Sequence, residues 1–347
     1  MEPLRKLLDK HADSCTSGSS RCEVCALGKQ SKALRLGEGM LQPCPVVELA
    51  RNGLFGHHFQ RREADPPLGG PQCDSSAFLH AMLTAIARAS PHNANEYEEY
   101  YELEHGVRNV LQDAVFGLVT RIRSRCLHPG CGIVHDTLHN SALELSLAFP
   151  NGHRKQEGLR MTLQDMWENH FSEMKVDTKI DACEGCTSGA MRQSFLEGEP
   201  PLLIIKLERG WQINDKPSGR LSRGKFQTRV DFPEALSFMR TGTYTLCGVV
   251  SHYGSGANEG HYNAHCRMAK LGEAHVAGQP AYCLFECHKE PTALLCSWEE
   301  LSKRETQESV FVLLYARVQG EVSKGIAGSR VTPYKRGKDT NEILEYG

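Results

Sequence analysis

No stretch of the 347 residues approaches the roughly 18 consecutive apolar residues of a membrane span, and the N-terminus, Met1-Glu2-Pro3-Leu4-Arg5-Lys6-Leu7-Leu8, lacks the apolar core of a signal peptide. These absences point to a soluble intracellular protein, of nucleus or cytoplasm. Nor is there a basic excess. Lys and Arg number 40 against 42 Asp and Glu, a formal net charge of -2, which removes the electrostatic case for nucleic acid or an anionic membrane as the main partner. A protein or a small molecule is left. Internal repeats are missing too, and with 40% hydrophobic and 24% charged residues the composition is that of one large core or two smaller ones. What the chain has in plenty is cysteine. Fourteen thiols in a reducing compartment suggest metal ligands or catalysis more than disulfides.

Cysteine is dense in the first 35 residues, which are punctuated by Thr16-Ser17-Gly18-Ser19-Ser20 and read as loops held by something other than a core. From Asp74 to Ala89 the apolar residues Phe78, Leu79, Met82, Leu83 and Ile86 recur at helical spacing, with Asp74 or Ser75 as cap. A second helix is expected over about 99–116, then a strand from Leu118 to Ser124. Leu143, Leu145, Leu147 and Phe149 alternate as a half-buried strand would, and Thr162 caps a short helix running through Phe171. The second half is strand-rich. Leu202–Leu207, Tyr244–His252, Tyr262–Arg267, Tyr282–Glu286 and Val310–Arg317 all carry β-branched or aromatic residues, so the fold class is α+β. The tail, 318–347, reads as weakly structured surface.

Cys183-Glu184-Gly185-Cys186 puts two thiols on one tight turn, as a tetrahedral zinc knuckle requires. Cys131 supplies a third donor, and either His128 or Cys126 the fourth. The spacing inclines to His128, which precedes Cys131 by the same two-residue gap, whereas Cys126 lies five positions before it. Buried free thiols beside a turn are the plainer alternative. A second set, His11, Cys15, Cys22 and Cys25, packs four donors into fifteen residues with little apolar content, where metal supplies what a core cannot. Both sites would hold structural zinc, because four protein ligands leave no open position for water.

Gly260-His261-Tyr262 follows the loop Gly254-Ser255-Gly256-Ala257-Asn258-Glu259 between two strand-like runs, a setting that presents a histidine at a cleft. The flanking Tyr244-Thr245-Leu246-Cys247-Gly248-Val249-Val250-Ser251-His252 and Asn263-Ala264-His265-Cys266-Arg267 make this region resemble the histidine box of ubiquitin-specific proteases. Other segments are similar in the same order. They are Leu143–Pro150, Pro200–Arg209 and Val312-Leu313-Leu314-Tyr315, so the resemblance spans about Pro3 to Arg317. It implies a papain-like fold of thumb, palm and zinc-bearing fingers in which His261 is the general base. Glu286 falls where the family carries the Asp or Asn that orients that histidine; a longer carboxylate can still accept from the far imidazole nitrogen. The implied division is a catalytic domain over 1–317, with 1–116 as thumb and N-terminal zinc loop, 117–210 as fingers and 211–317 as palm.

The nucleophile is the gap in this resemblance. A thiol protease needs a cysteine at a helix N-terminus, where the dipole and an imidazole lower its pKa. Cys73 is the one candidate. Gly70-Pro71-Gln72-Cys73 can stand for the family's nucleophile box, but Gln72-Cys73-Asp74-Ser75-Ser76-Ala77-Phe78-Leu79 matches the family's later glutamine box at more positions. The second register is the better fit and makes Cys73 a weak candidate. The leader from Pro3 through His11, Cys15, Cys22 and Cys25 resembles the family's segment just C-terminal to the nucleophile box, with a four-ligand pattern particularly similar to the deubiquitinase of the SAGA coactivator complex. The expectation is therefore a chain without its first thumb segment. It is either an incomplete deubiquitinase or a pseudoenzyme that binds ubiquitin and ubiquitinated proteins, and the resemblance implies a SAGA-like complex as partner.

Overall fold

The computed structural model describes residues 8, 11, 15, 22–35, 75, 79, 116–150, 158–176, 183, 186, 188–215, 220–237, 239, 242–254, 260–267, 282–286 and 294–318. Along the chain these form α1 (Glu23–Arg35), β1 (Leu118–Cys126), β2 (Val134–Ala142), β3 (Leu145–Ala148), β4 (Arg160–Thr162), α2 (Leu163–Phe171), β5 (Met174–Val176) and β6 (Ala190–Gly198). Next come β7 (Leu202–Glu208), β8 (Gly210–Asp215), β9 (Arg220–Lys225), β10 (Arg229–Asp231), β11 (Ala235–Leu236), β12 (Tyr244–Tyr253) and β13 (His261–Arg267). The last elements are β14 (Tyr282–Glu286), β15 (Leu294–Cys296), α3 (Trp298–Leu301), α4 (Arg304–Ser309) and β16 (Val310–Arg317). Among the described residues no helix is long and apolar enough to cross a membrane.

Among the described residues two large sheets organise the molecule, beside the two-stranded pairs β4-β10 and β8-β9. The larger runs β15-β14-β13-β12-β16-β7-β3, with β11 added beside β12, and the smaller runs β2-β1-β6-β5. β7 reads Leu-Leu-Ile-Ile-Lys-Leu-Glu because both faces of its sheet are covered. Leu203, Ile205 and Leu207 enter one core with Tyr244, Leu246, Leu313 and Tyr315, while Leu202 and Ile204 enter a second with Val24, Phe311 and Val312. The period-two geometry of a strand therefore splits one hydrophobic run between two cores. Tyr315 Oη donates to the Pro233 carbonyl at 2.7 Å, and Tyr244 Oη donates to that of Pro200, so the buried phenols keep partners.

The smaller sheet is held differently, by cross-strand charge. Arg123 pairs with Asp136 at 2.9 Å and Arg121 with Glu197 at 2.7 Å, and both guanidinium groups lie over the Phe195 ring. Half-buried residues run consecutively along most of β1 and β6, without the in-out alternation of a strand with one apolar face. That pattern explains why β6 carries no strand signal in sequence.

α2 follows its sequence signal closely. Thr162 Oγ1 accepts from the Asp165 N–H at 3.0 Å and the Asp165 carboxylate accepts from the Thr162 N–H at 3.0 Å, a reciprocal capping box. The same N–H holds the Asp165 carboxyl below its usual range. Thr162→Ala is expected to cost about 1 kcal/mol, read as a lower urea midpoint with unchanged slope.

The first 35 residues are not all loop, since Glu23–Arg35 is helical. The Cys and Ser content of the leader masks a helical stripe in which Val24, Ala26 and Gln30 are buried and Leu27 is half-buried. The helix expected from Asp74 to Ala89 lies outside the described residues except for Ser75 and Leu79, both helical. The helix expected over 99–116 lies outside them except for Phe116, and so does the tail beyond Val318.

Candidate functional site

β12 and β13 form an antiparallel pair whose last rung joins Tyr253 to His261. Beneath that rung the His252 ring packs on Tyr262 at 4.7 Å, and both lie against Phe311, at 6.4 and 6.0 Å. His261 itself is exposed, on the face of the pair opposite those rings, which it shares with Tyr253 and Asn263. The turn into it admits only glycine. Gly260 has φ +144°, and a methyl group there would fall 2.2 Å from the Tyr253 carbonyl oxygen and 2.7 Å from His252 Nε2. Glu286 closes β14, and the backbone register sets position 286 opposite Asn263, two residues along from His261.

Beside His261 opens a cleft of about 520 Å³ lined by Tyr253, Asn263, His265, Leu284, Leu295 and Cys296 among others. Among the described residues Cys296 is the thiol that lines the cleft, and burial, Glu300 and Cys283 push it up to about 11. Burial likewise raises Cys283, Cys266 and, to about 12, Cys247. None of these four thiols is poised as a thiolate at neutral pH. Cys73 lies outside the described residues.

Cysteines elsewhere converge in two tetrads. Cys126, Cys131, Cys183 and Cys186 bring their sulfurs within 4.8 Å of one another, with Cys126 to Cys186 at 3.3 Å and Cys131 to Cys183 at 3.6 Å. A tetrahedron with Zn–S of about 2.3 Å has edges of about 3.8 Å, so the set fits zinc without rearrangement. Of the two fourth donors left open by spacing, Cys126 is the one in the tetrad. His128 turns back on its own loop, its Nδ1 accepting from the Gly130 N–H at 3.2 Å while its N–H donates to Cys126 Sγ at 3.3 Å. The N–H and hydroxyl of Ser188 and the neighbouring thiols lower Cys186 to about 6. Cys126 moves the other way, to about 12: the His128 N–H opposes the rise, but burial and the surrounding thiols outweigh it. Four thiols this close cannot all ionise without a cation among them.

His11, Cys15, Cys22 and Cys25 form the second tetrad, their donor atoms also within 4.8 Å, and His11 Nε2 stands 3.0 Å from Cys22 Sγ. Cys22 precedes α1 and is buried in the second core beside Val24. Both tetrads are compatible with structural zinc.

This combination of a histidine-bearing sheet and Cys-rich strands can be compared with known proteins. The sequence pattern of the ubiquitin carboxyl-terminal hydrolase family matches residues 6–315. The chain belongs to that family. Ubiquitin carboxyl-terminal hydrolase 36 of Drosophila erecta is 28% identical over 264 residues, 73% of this chain and 22% of its own length. Its counterpart in Drosophila melanogaster is 27% identical over 253 residues, 71% and 22% of the two chains. Among solved structures, the SAGA deubiquitinase module Ubp8/Sgf11/Sus1/Sgf73 bound to ubiquitin aldehyde superposes with a TM-score of 0.61 at 20% identity, covering 91% of this chain and 65% of that one. The same module with a Ubp8 variant bound to monoubiquitin gives 0.63 at 20% identity, covering 91% and 64%. The fold is thus that of the ubiquitin-specific proteases. This member spans about a fifth of the length of its curated relatives and just under two thirds of those solved chains.

Several residues of the two candidate sites, the cleft and the Cys126 tetrad, carry no sequence signal of their own. Ser188, whose carbonyl accepts from the Cys183 N–H at 2.9 Å, lies two positions after the knuckle, as a supporting hydroxyl would. Tyr253 and the cleft residues of β15 become neighbours of His261 only through strand pairing.

Proposed function

We propose that this ubiquitin carboxyl-terminal hydrolase family member grips ubiquitin between its two sheets, the smaller as fingers and the larger as palm. By thiol chemistry it would hydrolyse the isopeptide bond joining ubiquitin to a lysine, with Cys73 as the weak candidate for the thiol, since no nucleophile box is found in this sequence. The observation that carries this is His261, exposed at the rim of a cleft on the last rung of β12–β13, with position 286 two residues away on the next strand. In this reading His261 takes the proton from the attacking thiol and returns it to the leaving amine, and Glu286 holds its tautomer. Zinc in the Cys126 tetrad fixes the tips of the fingers, and zinc in the His11 tetrad fixes the leader; neither takes part in the chemistry. Ubiquitinated proteins are the substrates, and the fold shared with the SAGA module supports a SAGA-like complex as partner.

A specific observation favours a second reading, a ubiquitin-binding scaffold. Every described cysteine either belongs to a tetrad or has a thiol raised by burial. Ubiquitin carrying a thiol-reactive C-terminal group decides between them. An adduct located by peptide mass spectrometry, formed at least about 100-fold more slowly in His261→Gln with ubiquitin affinity unchanged, supports the hydrolase. Ubiquitin binding without any adduct supports the scaffold, and absence of binding at about 0.1 mM overturns both, being weaker than about 5 kcal/mol.

A further inference from the structure

Lys225 ends β9 with only 8% of its surface exposed, and among the described residues no carboxylate pairs with it. Its ammonium donates instead to two main-chain carbonyls, that of His252 at 2.5 Å and that of Gly254 at 3.4 Å. Its own backbone is anchored next door. The Phe226 N–H donates to the Arg209 carbonyl at 2.7 Å and the Phe226 carbonyl accepts from Arg209 Nη1 at 3.0 Å. The root of the side chain is thereby tied to Arg209, the residue between β7 and β8, and its tip to the end of β12.

That end of β12 is the surface on which the histidine is seated. Tyr253 and His261 are the last pair of the ladder, and Gly260 crosses the Tyr253 carbonyl closely enough to exclude a Cβ. Displacing the peptide units of 252–254 must therefore displace Gly260 and His261, because no slack exists between them. We propose that Lys225 is a positioning residue for His261, holding the peptides of 252–254 as the template against which Gly260 and His261 are laid. Burial, and then repulsion from Arg209, lower the ammonium to about 8, and at neutral pH it stays predominantly charged. A charged donor holds such carbonyls more firmly than a neutral one would. The consequence for catalysis rests on His261 being the base; the mechanical claim does not.

Hydrogen exchange on the full chain tests it, with Lys225→Met as the variant. Lys29→Met, at an exposed lysine of α1, is the control. Lys225→Met is expected to speed exchange about tenfold at 252–254 and 260–262, leave β7 and β16 within about twofold, and broaden the His261 ring resonances. Lys29→Met should do none of these, and Lys225→Arg, which keeps charge and donors, should restore most of the protection. Unchanged exchange around His261, or a loss spread equally over β7 and β16, overturns the proposal. Should Lys225→Met fail to fold, the wild-type chain still answers. Slowly exchanging Lys225 ammonium protons coupled across hydrogen bonds to the His252 and Gly254 carbonyls support the proposal, and a freely rotating ammonium overturns it. Neither readout needs turnover, so an inactive chain with an intact clamp defeats only the hydrolase reading.

Discussion

Arg209→Met is expected to remove at least about 4 kcal/mol of folding stability, a large share of the roughly 5–15 kcal/mol typical of a domain. Arg209 is 1% exposed and spends its donors on four carbonyls: Val310 at 2.5 Å, Phe226 at 3.0 Å, Thr228 at 2.9 Å and Gln307 at 2.9 Å. Its guanidinium also lies 5.1 Å from the Phe149 ring centroid. Burial lowers it to about 9, which leaves it charged at neutral pH. The fork thus joins the start of β16, the last turn of α4 and the segment after β9 at one point. Gln307 lies in that last turn, where the carbonyls have no partner within the helix, so Arg209 also closes the end of α4. Methionine would fill most of the space and abandon all four acceptors in a dry site, at about 1–3 kcal/mol for each buried group left unpaired. Lysine would keep the charge but not the fork. Urea unfolding should rank the wild type above Arg209→Lys and Arg209→Lys above Arg209→Met; equal midpoints would show that water replaces the guanidinium at little cost.

Arg209 also marks where a sequence stops being readable. β14 and β16 were legible to the residue because β-branched and aromatic runs are bounded by turn residues, and α2 because Thr162 and Asp165 stand at capping-box spacing. β6, Ala-Met-Arg-Gln-Ser-Phe-Leu-Glu-Gly, was not legible, since its register with β1 is held by Arg121 to Glu197 and by Phe195 under two guanidinium groups. Such pairs are visible only once the strands are aligned. Spacing found both tetrads but inclined to His128, because counting residues takes no account of β1 running to Cys126. The Cys126 N–H donates to Ile133 O at 3.0 Å and the Leu127 N–H to Gly189 O at 2.9 Å, which carries the Cys126 sulfur to the strand end where the knuckle meets it. Lys225 and Arg209 look like ordinary solvated cations in sequence. Their acceptors lie 17 to 101 positions away, and no local pattern encodes that.

Metal removal should act unequally on the two tetrads, because they sit in different mechanical settings. The Cys126 tetrad closes the far end of β1 and β6, beyond a sheet already held by cross-strand charge, and the exposed Leu127, Ile133 and Val134 around it contribute little core. The His11 tetrad instead seats the start of α1, whose Val24 and Ala26 are 1% and 0% exposed and whose neighbour Cys22 lies in the same core as Leu202, Ile204 and Phe311. A structural zinc contributes an apparent stabilisation of about 10–16 kcal/mol to a small domain that folds around it, so loss of either ion outweighs most single contacts. Cys183→Ser is expected to lower bound zinc from two to one per chain, measured by elemental analysis, and to free amides near 126–134 and 183–190 while the larger sheet keeps its protection. Cys22→Ser should cause the same loss of metal and also uncover one face of the larger sheet, with exchange rising in β7 and β16 and a much larger fall in melting temperature. Acidification should reproduce both effects, since His11 and the thiols must shed protons to bind metal, so zinc is held at neutral pH and released as pH falls. Equal falls in melting temperature for the two variants would show that the leader adds no more to the core than the distal tetrad does. A chain that carries no zinc at neutral pH, yet keeps both clusters reduced, would show that thiol packing alone shapes them.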